Sequence, residues 1–156
     1  MRMKILTLIL LLPLSLFAFS AKVIKISDGD TITVLNGKEQ TKVRLYGIDA
    51  PEKKQDYGQR SKQFLASLIA GQVVEVEPKG KDRYKRTLGA IYYKGQDINA
   101  QMVLNGYAWA YTKYSKIYVD QEKTARENKR GLWQSSDPTP PWEWRKKLTS
   151  FLLSVE

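Results

Sequence analysis

The stretch KVIKISDGDTITVLNGKEQTKVRLYGI, residues 22–48, alternates apolar and polar side chains in three runs separated by turn sequences. Alternation with a period of two is typical of strands that have one buried face and one solvated face. SDGD separates the first two runs, and the Asn36-Gly37 pair separates the second from the third. Both residues of an Asn-Gly pair tolerate the positive φ angles of a tight hairpin. The stretch therefore predicts three consecutive antiparallel strands.

Two more strands and three helices are predicted downstream. VVEVEP (73–78) and RTLGAIYY (86–93) have strand composition, whereas QRSKQFLASLIAG (59–71), INAQMVLNGYA (98–108) and VDQEKTARENKRGLW (119–133) read as helices, each stopped near a Gly. The Pro-rich sequence after Trp133 predicts an irregular tail. This order fits an α+β, mainly β fold: a five-stranded OB-type barrel with about three helices. An open α+β sheet is the alternative.

The N-terminal segment has the pattern of a secretory signal peptide. Arg2 and Lys4 precede an apolar run that ends near Phe19, and small residues follow. The run is short for a membrane span, which needs roughly 20 apolar residues. We therefore predict a signal peptide over residues 1–20, a domain over 21–145 and a C-terminal tail over 146–156. The protein is expected to be secreted or periplasmic, and membrane-bound only if the segment stays uncleaved as an anchor.

Composition restricts the chemistry that the chain can perform. Its 156 residues contain no Cys and no His, which excludes Ser-His and Cys-His nucleophiles and zinc sites of the usual kind. Hydrolysis must then use carboxylates, Lys, Arg or Tyr, and any metal should be a hard, oxygen-bound cation. The net charge of +10, from 26 Lys and Arg against 16 Asp and Glu, favours a polyanionic partner such as nucleic acid. A basic solvated surface without such a partner is the alternative.

The clusters SDGDT, VRL, DAPE and DRYKR together contain the residue types that phosphodiester cleavage requires. Asp30 and Asp49, at neighbouring strand ends, are candidate ligands of a hard cation, with a backbone carbonyl nearby. In the absence of His, Glu52 is the best candidate for the base that activates water. Arg44 and Arg86 suit the negative charge that develops on phosphate, because a guanidinium forms two parallel hydrogen bonds.

Five blocks carry a family resemblance. SDGDTITV, VRLYGIDAPE, DRYKRTLGAIYY, INAQMVLNGYAW and the closing GLW…PPWEWR resemble, in this order, the thermonuclease (staphylococcal nuclease-like) family over about Val23 to Arg145. The resemblance implies an OB-type barrel and calcium-dependent hydrolysis of DNA and RNA. The 5′-oxygen is then the leaving group, and the products end in 3′-phosphate.

The resemblance also implies a role for individual residues. Asp30 and Asp49 match the metal carboxylates, and Ala50 matches the residue whose backbone carbonyl binds the metal. The remaining matches are the base Glu52, the phosphate-binding Arg44 and Arg86, the outer acidic residue Asp28, and the substrate-binding residues Tyr84 and Tyr114. Arg83, in the same DRYKR cluster, is a further candidate for substrate binding. Two positions depart from the family pattern: Ala50 where Thr is frequent, and Lys85 where Gly is common. We expect Lys85 either to alter the turn that presents Arg86 or to add a phosphate contact.

Two other functions remain open from the residues alone. A non-catalytic OB module would bind nucleic acid through a basic groove and aromatic platforms, but it would not need clustered carboxylates, which repel a polyanion when no metal is bound. An envelope-associated adaptor would use the C-terminal segment PPWEWRKKLTSFLLSVE as a contact region. We expect a monomer without an obligate protein partner, with DNA and RNA as its partners.

Overall fold

A computed structural model describes residues 17–155 and confirms the predicted α+β fold, a closed five-stranded barrel with helices. The strands are β1 Phe19–Asp28, β2 Thr31–Asn36, β3 Glu39–Leu45, β4 Ile48–Asp49, β5 Val73–Lys81, β6 Thr87–Tyr93, β7 Gln96–Asp97 and β8 Trp109–Ala110. The α-helices are α1 Gly58–Ile69, α2 Ile98–Leu104, α3 Val119–Glu127 and α4 Pro141–Leu153, and Gly131–Gln134 forms a 3₁₀ turn.

The barrel closes through one parallel pairing. The meander β1-β2-β3 is antiparallel, β5 pairs with both β1 and β6, and β6 returns to pair with β3 in parallel. In that last pairing Arg44 lies opposite Leu88. The closure brings the end of β3 next to the loop that precedes β6, so the two predicted phosphate-binding arginines come to the same side of the barrel.

The core follows the alternation that predicts the strands. Val23, Ile32, Val43, Val76 and Ile91 point inward and are at most 1% exposed. Side chains of α1 and α2 close the barrel, among them Leu65, Ile69, Ile98 and Met102. Burying one such side chain stabilises the fold by about 1.5–3 kcal/mol. A second cluster, formed by Trp109, Ala125, Leu132 and Trp133, packs against Trp142 of α4.

The prediction of an irregular tail is wrong. Residues 141–153 form α4, so the structure contains a fourth helix, and the predicted boundary at residue 146 falls inside it. Pro141 occupies the first turn, where its fixed φ angle suits a helix and its missing N–H has no intrahelical partner to lose. Trp142 then packs on the second cluster. The prolines that predicted an irregular tail therefore mark the start of a helix.

The predicted signal segment lies mostly outside the described residues. Residues 17–20 are the exception, and of these Phe19 and Ser20 belong to β1 and pair with Val76 and Glu75 of β5. The cleavage after Ser20 and the export of the protein remain predictions. Within residues 17–155, no helix has both the length and the apolar content needed to span a membrane.

Candidate active site

One open groove collects every residue predicted for the site. It has a volume of about 1270 Å³ and crosses the barrel at the ends of β3 and β4. Its walls include Asp28, Asp30, Arg44, Asp49, Ala50, Glu52, Arg83, Tyr84, Arg86 and Tyr114. These residues come from distant parts of the chain, so the barrel topology, and not sequence proximity, brings them together.

Arg44 joins the two predicted metal carboxylates. Its Nη1 lies 2.9 Å from Asp30 Oδ2, and its Nη2 lies 2.9 Å from Asp49 Oδ1. Both carboxylates are buried, Asp30 with 5% and Asp49 with 1% of its surface exposed. Arg44 Nη1 also donates to the carbonyl of Ile48 at 3.1 Å, which fixes the guanidinium against β4. The two carboxylates therefore converge on a single cationic group.

The environment of Asp30 disfavours its negative charge. Burial raises the pKa of Asp30 well above its usual value, and the nearby carboxylates of Asp28 and Asp49 raise it further, whereas Arg44 lowers it. The Asp30 carboxylate accepts hydrogen bonds from Ala50 N at 2.7 Å and from Thr31 Oγ1 at 3.0 Å. A bound cation beside Asp30 would stabilise the ionised form of this side chain.

The candidate ligand atoms are of the chemical type that a hard divalent cation prefers. Asp30, Asp49 and Ala50 offer oxygen atoms only and line the same groove. Among residues 17–155, no group of three or more His, Cys, Asp or Glu side chains is arranged as a metal site. The Asp49 oxygens accept from guanidinium groups instead, so cation binding requires those contacts to rearrange.

Glu52 lies on a short loop that its own backbone contacts hold in shape. Glu52 N donates to Gln55 Oε1 at 3.1 Å, and Gln55 N donates to Glu52 O at 2.9 Å. Helix α1 begins directly afterwards at Gly58, where an added Cβ would lie 2.0 Å from Glu52 O. Only glycine allows this close approach. The Glu52 side chain is 40% exposed and faces the groove, as a base that activates water must.

Arg86 is presented by a loop organised around Asp82. The Asp82 carboxylate accepts from Tyr84 N at 2.8 Å, from Arg86 N at 3.0 Å and from Arg86 Nε at 2.6 Å. Partial burial opposes ionisation of Asp82, but these hydrogen bonds outweigh it and hold the pKa of Asp82 below its usual value. Lys85 adopts φ 62°, the left-handed conformation that glycine accepts most readily. The loop therefore forms with Lys85 in place and keeps Arg86 in the groove.

Aromatic side chains line the outer parts of the groove. Tyr84 is 64% exposed, and the guanidinium groups of Arg83 and Arg86 lie 4.8 and 5.5 Å from its ring centroid. Tyr114 is 65% exposed and contacts Tyr111 edge-on at 5.0 Å. Exposed rings beside a basic groove are suited to stacking on bases, and the substrate-binding roles of these residues remain predictions.

Arg145 of α4 is an additional member of the site. Its Nη2 lies 2.8 Å from Asp49 Oδ2, and its Nη1 lies 2.7 Å from Glu52 Oε1. These two carboxylates raise the pKa of Arg145 further, although its partial burial acts in the opposite direction. One guanidinium thus connects a predicted metal carboxylate to the predicted base.

Known proteins identify the family of this chain. A sequence model described as staphylococcal nuclease homologue matches residues 42–135, a range that contains Arg44, Asp49, Glu52 and Arg86. The chain belongs to the staphylococcal nuclease-like family.

Several bacterial proteins are similar to this staphylococcal nuclease-like chain over most of its length. An uncharacterised endonuclease of Haemophilus influenzae is 47% identical over 131 residues, which cover 82% of this chain and 74% of that protein. An uncharacterised endonuclease of Escherichia coli is 43% identical over 148 residues, covering 87% of this chain and 97% of that protein. A micrococcal nuclease of Shigella flexneri is 44% identical over 141 residues, covering 82% of this chain and 81% of that protein.

Sequence reasoning on this staphylococcal nuclease-like chain missed Arg145 because the surrounding segment was predicted to be irregular. The helical spacing of Trp144, Leu148, Phe151 and Leu152 is a signal that could have revealed α4. The contact with Glu52 bridges 93 positions of the chain, and no local pattern encodes such a pairing. Gln55, whose Nε2 donates to Thr139 O at 2.6 Å, was missed for the same reason.

Proposed function

We propose that this protein is a calcium-dependent nuclease that hydrolyses phosphodiester bonds of DNA and RNA and leaves products ending in 3′-phosphate. One observation carries the proposal: two buried carboxylates, a groove-facing Glu and two arginines come from separate segments and line a single groove. Membership of the staphylococcal nuclease-like family and the nuclease names of its relatives support it. Calcium dependence and the type of product are what the resemblance to the family implies.

Each residue has a chemical task in this reaction. Asp30, Asp49 and the carbonyl of Ala50 would hold the calcium ion, which when bound supplies positive charge next to the scissile phosphate. Glu52 accepts the proton of the attacking water, a contribution of about 10²–10⁴-fold. Arg44 and Arg86 donate hydrogen bonds to the phosphate oxygens as negative charge develops on them.

The catalytic function is favoured over simple nucleic-acid binding by the cost of the carboxylate pair. Asp30 and Asp49 are buried, and burial makes an ionised carboxylate unfavourable unless cations compensate it. A binding module gains nothing from such a pair, because negative charge in the groove repels the phosphate backbone. The pair is explained when a cation and a phosphodiester bind together.

We also propose that the protein acts in the periplasm or outside the cell. The charged start, the apolar run and the small residues before Ala21 support export. N-terminal sequencing of protein recovered from the periplasm or culture medium tests it. A mature N-terminus near Ala21 is expected, and protein found only in the cytoplasm with Met1 retained contradicts the proposal.

A nuclease assay with defined metal content tests the proposed activity. Purified protein is expected to degrade both DNA and RNA in calcium and to stop when a chelator is added. End-group analysis should find 3′-phosphate and 5′-hydroxyl ends. Full activity in chelator contradicts the metal assignment, and 5′-phosphate ends contradict the direction of cleavage.

Replacing the base tests the role of Glu52. Glu52→Gln keeps the size of the side chain but cannot accept the proton of water, so kcat is expected to fall by about 10²-fold or more. Nucleic-acid binding, measured by fluorescence anisotropy, should remain similar. Glu127→Gln is the matched control, because Glu127 is exposed on α3 and lies outside the groove. Equal kcat values for the wild type and Glu52→Gln would remove Glu52 as the base.

A further inference from the structure

Helix α4 is attached at three points to residues on or beside the groove. At its start, the buried side chain of Gln55 donates to Thr139 O and accepts from Glu52 N. At the second residue of the helix, Trp142 stacks on Tyr111 with ring centroids 5.6 Å apart. One turn further, Arg145 pairs with Asp49 and Glu52. The helix is therefore positioned by packing and by a neutral hydrogen bond as well as by its ion pairs.

Arg145 pairs with Asp49 Oδ2, an oxygen that a bound cation would also need. Arg44 contacts Asp49 Oδ1 and Arg145 contacts Asp49 Oδ2, so each oxygen of this carboxylate already faces a guanidinium. A divalent ion bound to Asp49 would place two positive charges next to the charge of Arg145. Two cations that contact the same carboxylate lie close together and repel each other, even with solvent screening.

We propose that Arg145 is a positioning residue that holds Asp49 and Glu52 together in the metal-free enzyme and competes with calcium for Asp49. This inference rests on the proposed calcium-dependent function. Three carboxylates, of Asp30, Asp49 and Glu52, face the two guanidinium groups of Arg44 and Arg145. Without calcium, Arg145 provides the positive charge that compensates these carboxylates, and bound calcium would take over that role. When Arg145 moves away from Glu52, the Glu52 carboxylate is able to accept a proton from water.

Arg145 is suited to such an exchange because it is the more exposed of the two arginines. Its side chain is 41% exposed, whereas that of Arg44 is 13% exposed. Arg44 is also held by the carbonyls of Leu45 and Ile48. The packing of Trp142 keeps α4 in place while the long side chain of Arg145 moves. Calcium binding is therefore expected to change the Arg145 contacts and leave the helix docked.

Calcium affinity measured without nucleic acid tests the proposal directly. Isothermal titration calorimetry on the full chain is carried out with the wild type, Arg145→Gln, Arg145→Lys and the control Lys147→Gln. Lys147 is exposed on the same helix and does not line the groove, so its replacement removes an equal charge at a distance from Asp49. Arg145→Gln should bind calcium about tenfold more tightly than the wild type, Lys147→Gln should stay within about twofold, and Arg145→Lys should lie between them.

Thermal unfolding provides a second readout. In chelator, Arg145→Gln should unfold at a lower temperature than the wild type, because Asp49 and Glu52 lose their partner. In saturating calcium the difference should shrink, since Arg145 no longer contacts Asp49 in either protein. A residue with a purely structural role would lower stability equally in both conditions and would not raise calcium affinity when replaced.

The outcomes separate this inference from the proposed function. Calcium binding by both proteins with equal or weaker affinity in Arg145→Gln overturns the competition and leaves the nuclease proposal intact. Absence of calcium binding in the wild type and in Arg145→Gln overturns both. Binding that appears only in Arg145→Gln supports the competition. If circular dichroism shows that Arg145→Gln does not fold, Arg145→Lys decides: unchanged affinity relative to the wild type overturns the proposal.

Discussion

Lys85 has a backbone conformation that costs an L-residue roughly 1 kcal/mol. Its φ of 62° is set by the turn from Asp82 to Arg86, in which Lys85 N donates to Asp82 O at 3.0 Å. Lys85→Gly removes this strain but adds conformational entropy to the unfolded chain. We expect the free energy of unfolding to change by less than about 0.5 kcal/mol.

Urea denaturation measures this change, and a second variant gives the comparison. Lys123 is exposed in α3 and has an ordinary helical conformation, so Lys123→Gly should cost about 1 kcal/mol. An equal loss for Lys85→Gly and Lys123→Gly would mean that the conformation of Lys85 carries no strain. Kinetics of Lys85→Gly should stay close to wild type, because Asp82 still orients Arg86.

Arg86 illustrates why charge alone does not define a phosphate-binding residue. Its Nε is engaged by Asp82 while the side chain faces the groove, an arrangement that the compact ammonium of Lys cannot reproduce. Arg86→Lys should therefore reduce kcat by about 10²-fold or more, nearly as much as Arg86→Ala. Arg60→Lys serves as the control, since Arg60 is exposed on α1 and lies outside the groove, so a change there should be mild. A mild effect of Arg86→Lys in steady-state kinetics would show that simple charge suffices.

At the scale of elements, α1 and the Glu52 loop are built to touch. A Cβ on residue 58 would lie 2.0 Å from Glu52 O, a backbone atom that cannot turn aside. Gly58→Ala should displace the loop, lower the free energy of unfolding by about 1–3 kcal/mol and reduce kcat by moving Glu52. Gln63→Ala, at an exposed position of the same helix, should change neither quantity appreciably. Wild-type stability and kcat in Gly58→Ala would contradict the close contact.

The elements that were predictable from the sequence are those with a local signal. The alternation of apolar and polar side chains and the Asn36-Gly37 pair predict strands β1 to β3. The spacing of Leu65 and Ile69 predicts α1. Helix α4 was missed because the prolines around its start resemble a linker, although Trp144, Leu148 and Phe151 have helical spacing. Its docking could not be predicted, because Leu148 and Phe151 remain exposed and its position depends on Trp142 packing against a distant cluster.

The residues of the site also differ in whether the sequence carries a local signal for them. Asp30, Asp49, Glu52, Arg44 and Arg86 carry residue types and neighbours that indicate their chemistry, and the groove contains all of them. Their partners do not carry such signals. Gln55 and Arg145 contact the site because the fold brings the Glu52 loop and α4 together. Candidate catalytic and metal-binding side chains can therefore be proposed from sequence, whereas the side chains that contact and position them require the tertiary structure.

At the scale of the whole molecule, positive charge is in excess, and the groove combines basic residues with carboxylates. The chain carries 26 Lys and Arg against 16 Asp and Glu. The groove combines the carboxylates at its base with Lys81, Arg83, Lys113 and Lys146 around them. A polyanion is attracted by the surrounding charge and meets the carboxylates only where a cation would compensate them. Under the proposed function, we therefore expect attraction and catalysis to depend on different parts of the same groove.

The salt dependence of binding tests this separation. Glu52→Gln, used in chelator so that the substrate is not cleaved, should bind single-stranded DNA with an affinity that falls linearly on a log–log plot against salt concentration. Adding Arg83→Gln should reduce the slope by about one, because one phosphate contact is lost. Adding Lys38→Gln instead, in the turn between β2 and β3 and away from the groove, should leave the slope unchanged. Equal reductions by both changes would show that binding follows net charge alone and that the groove does not define the path of the strand.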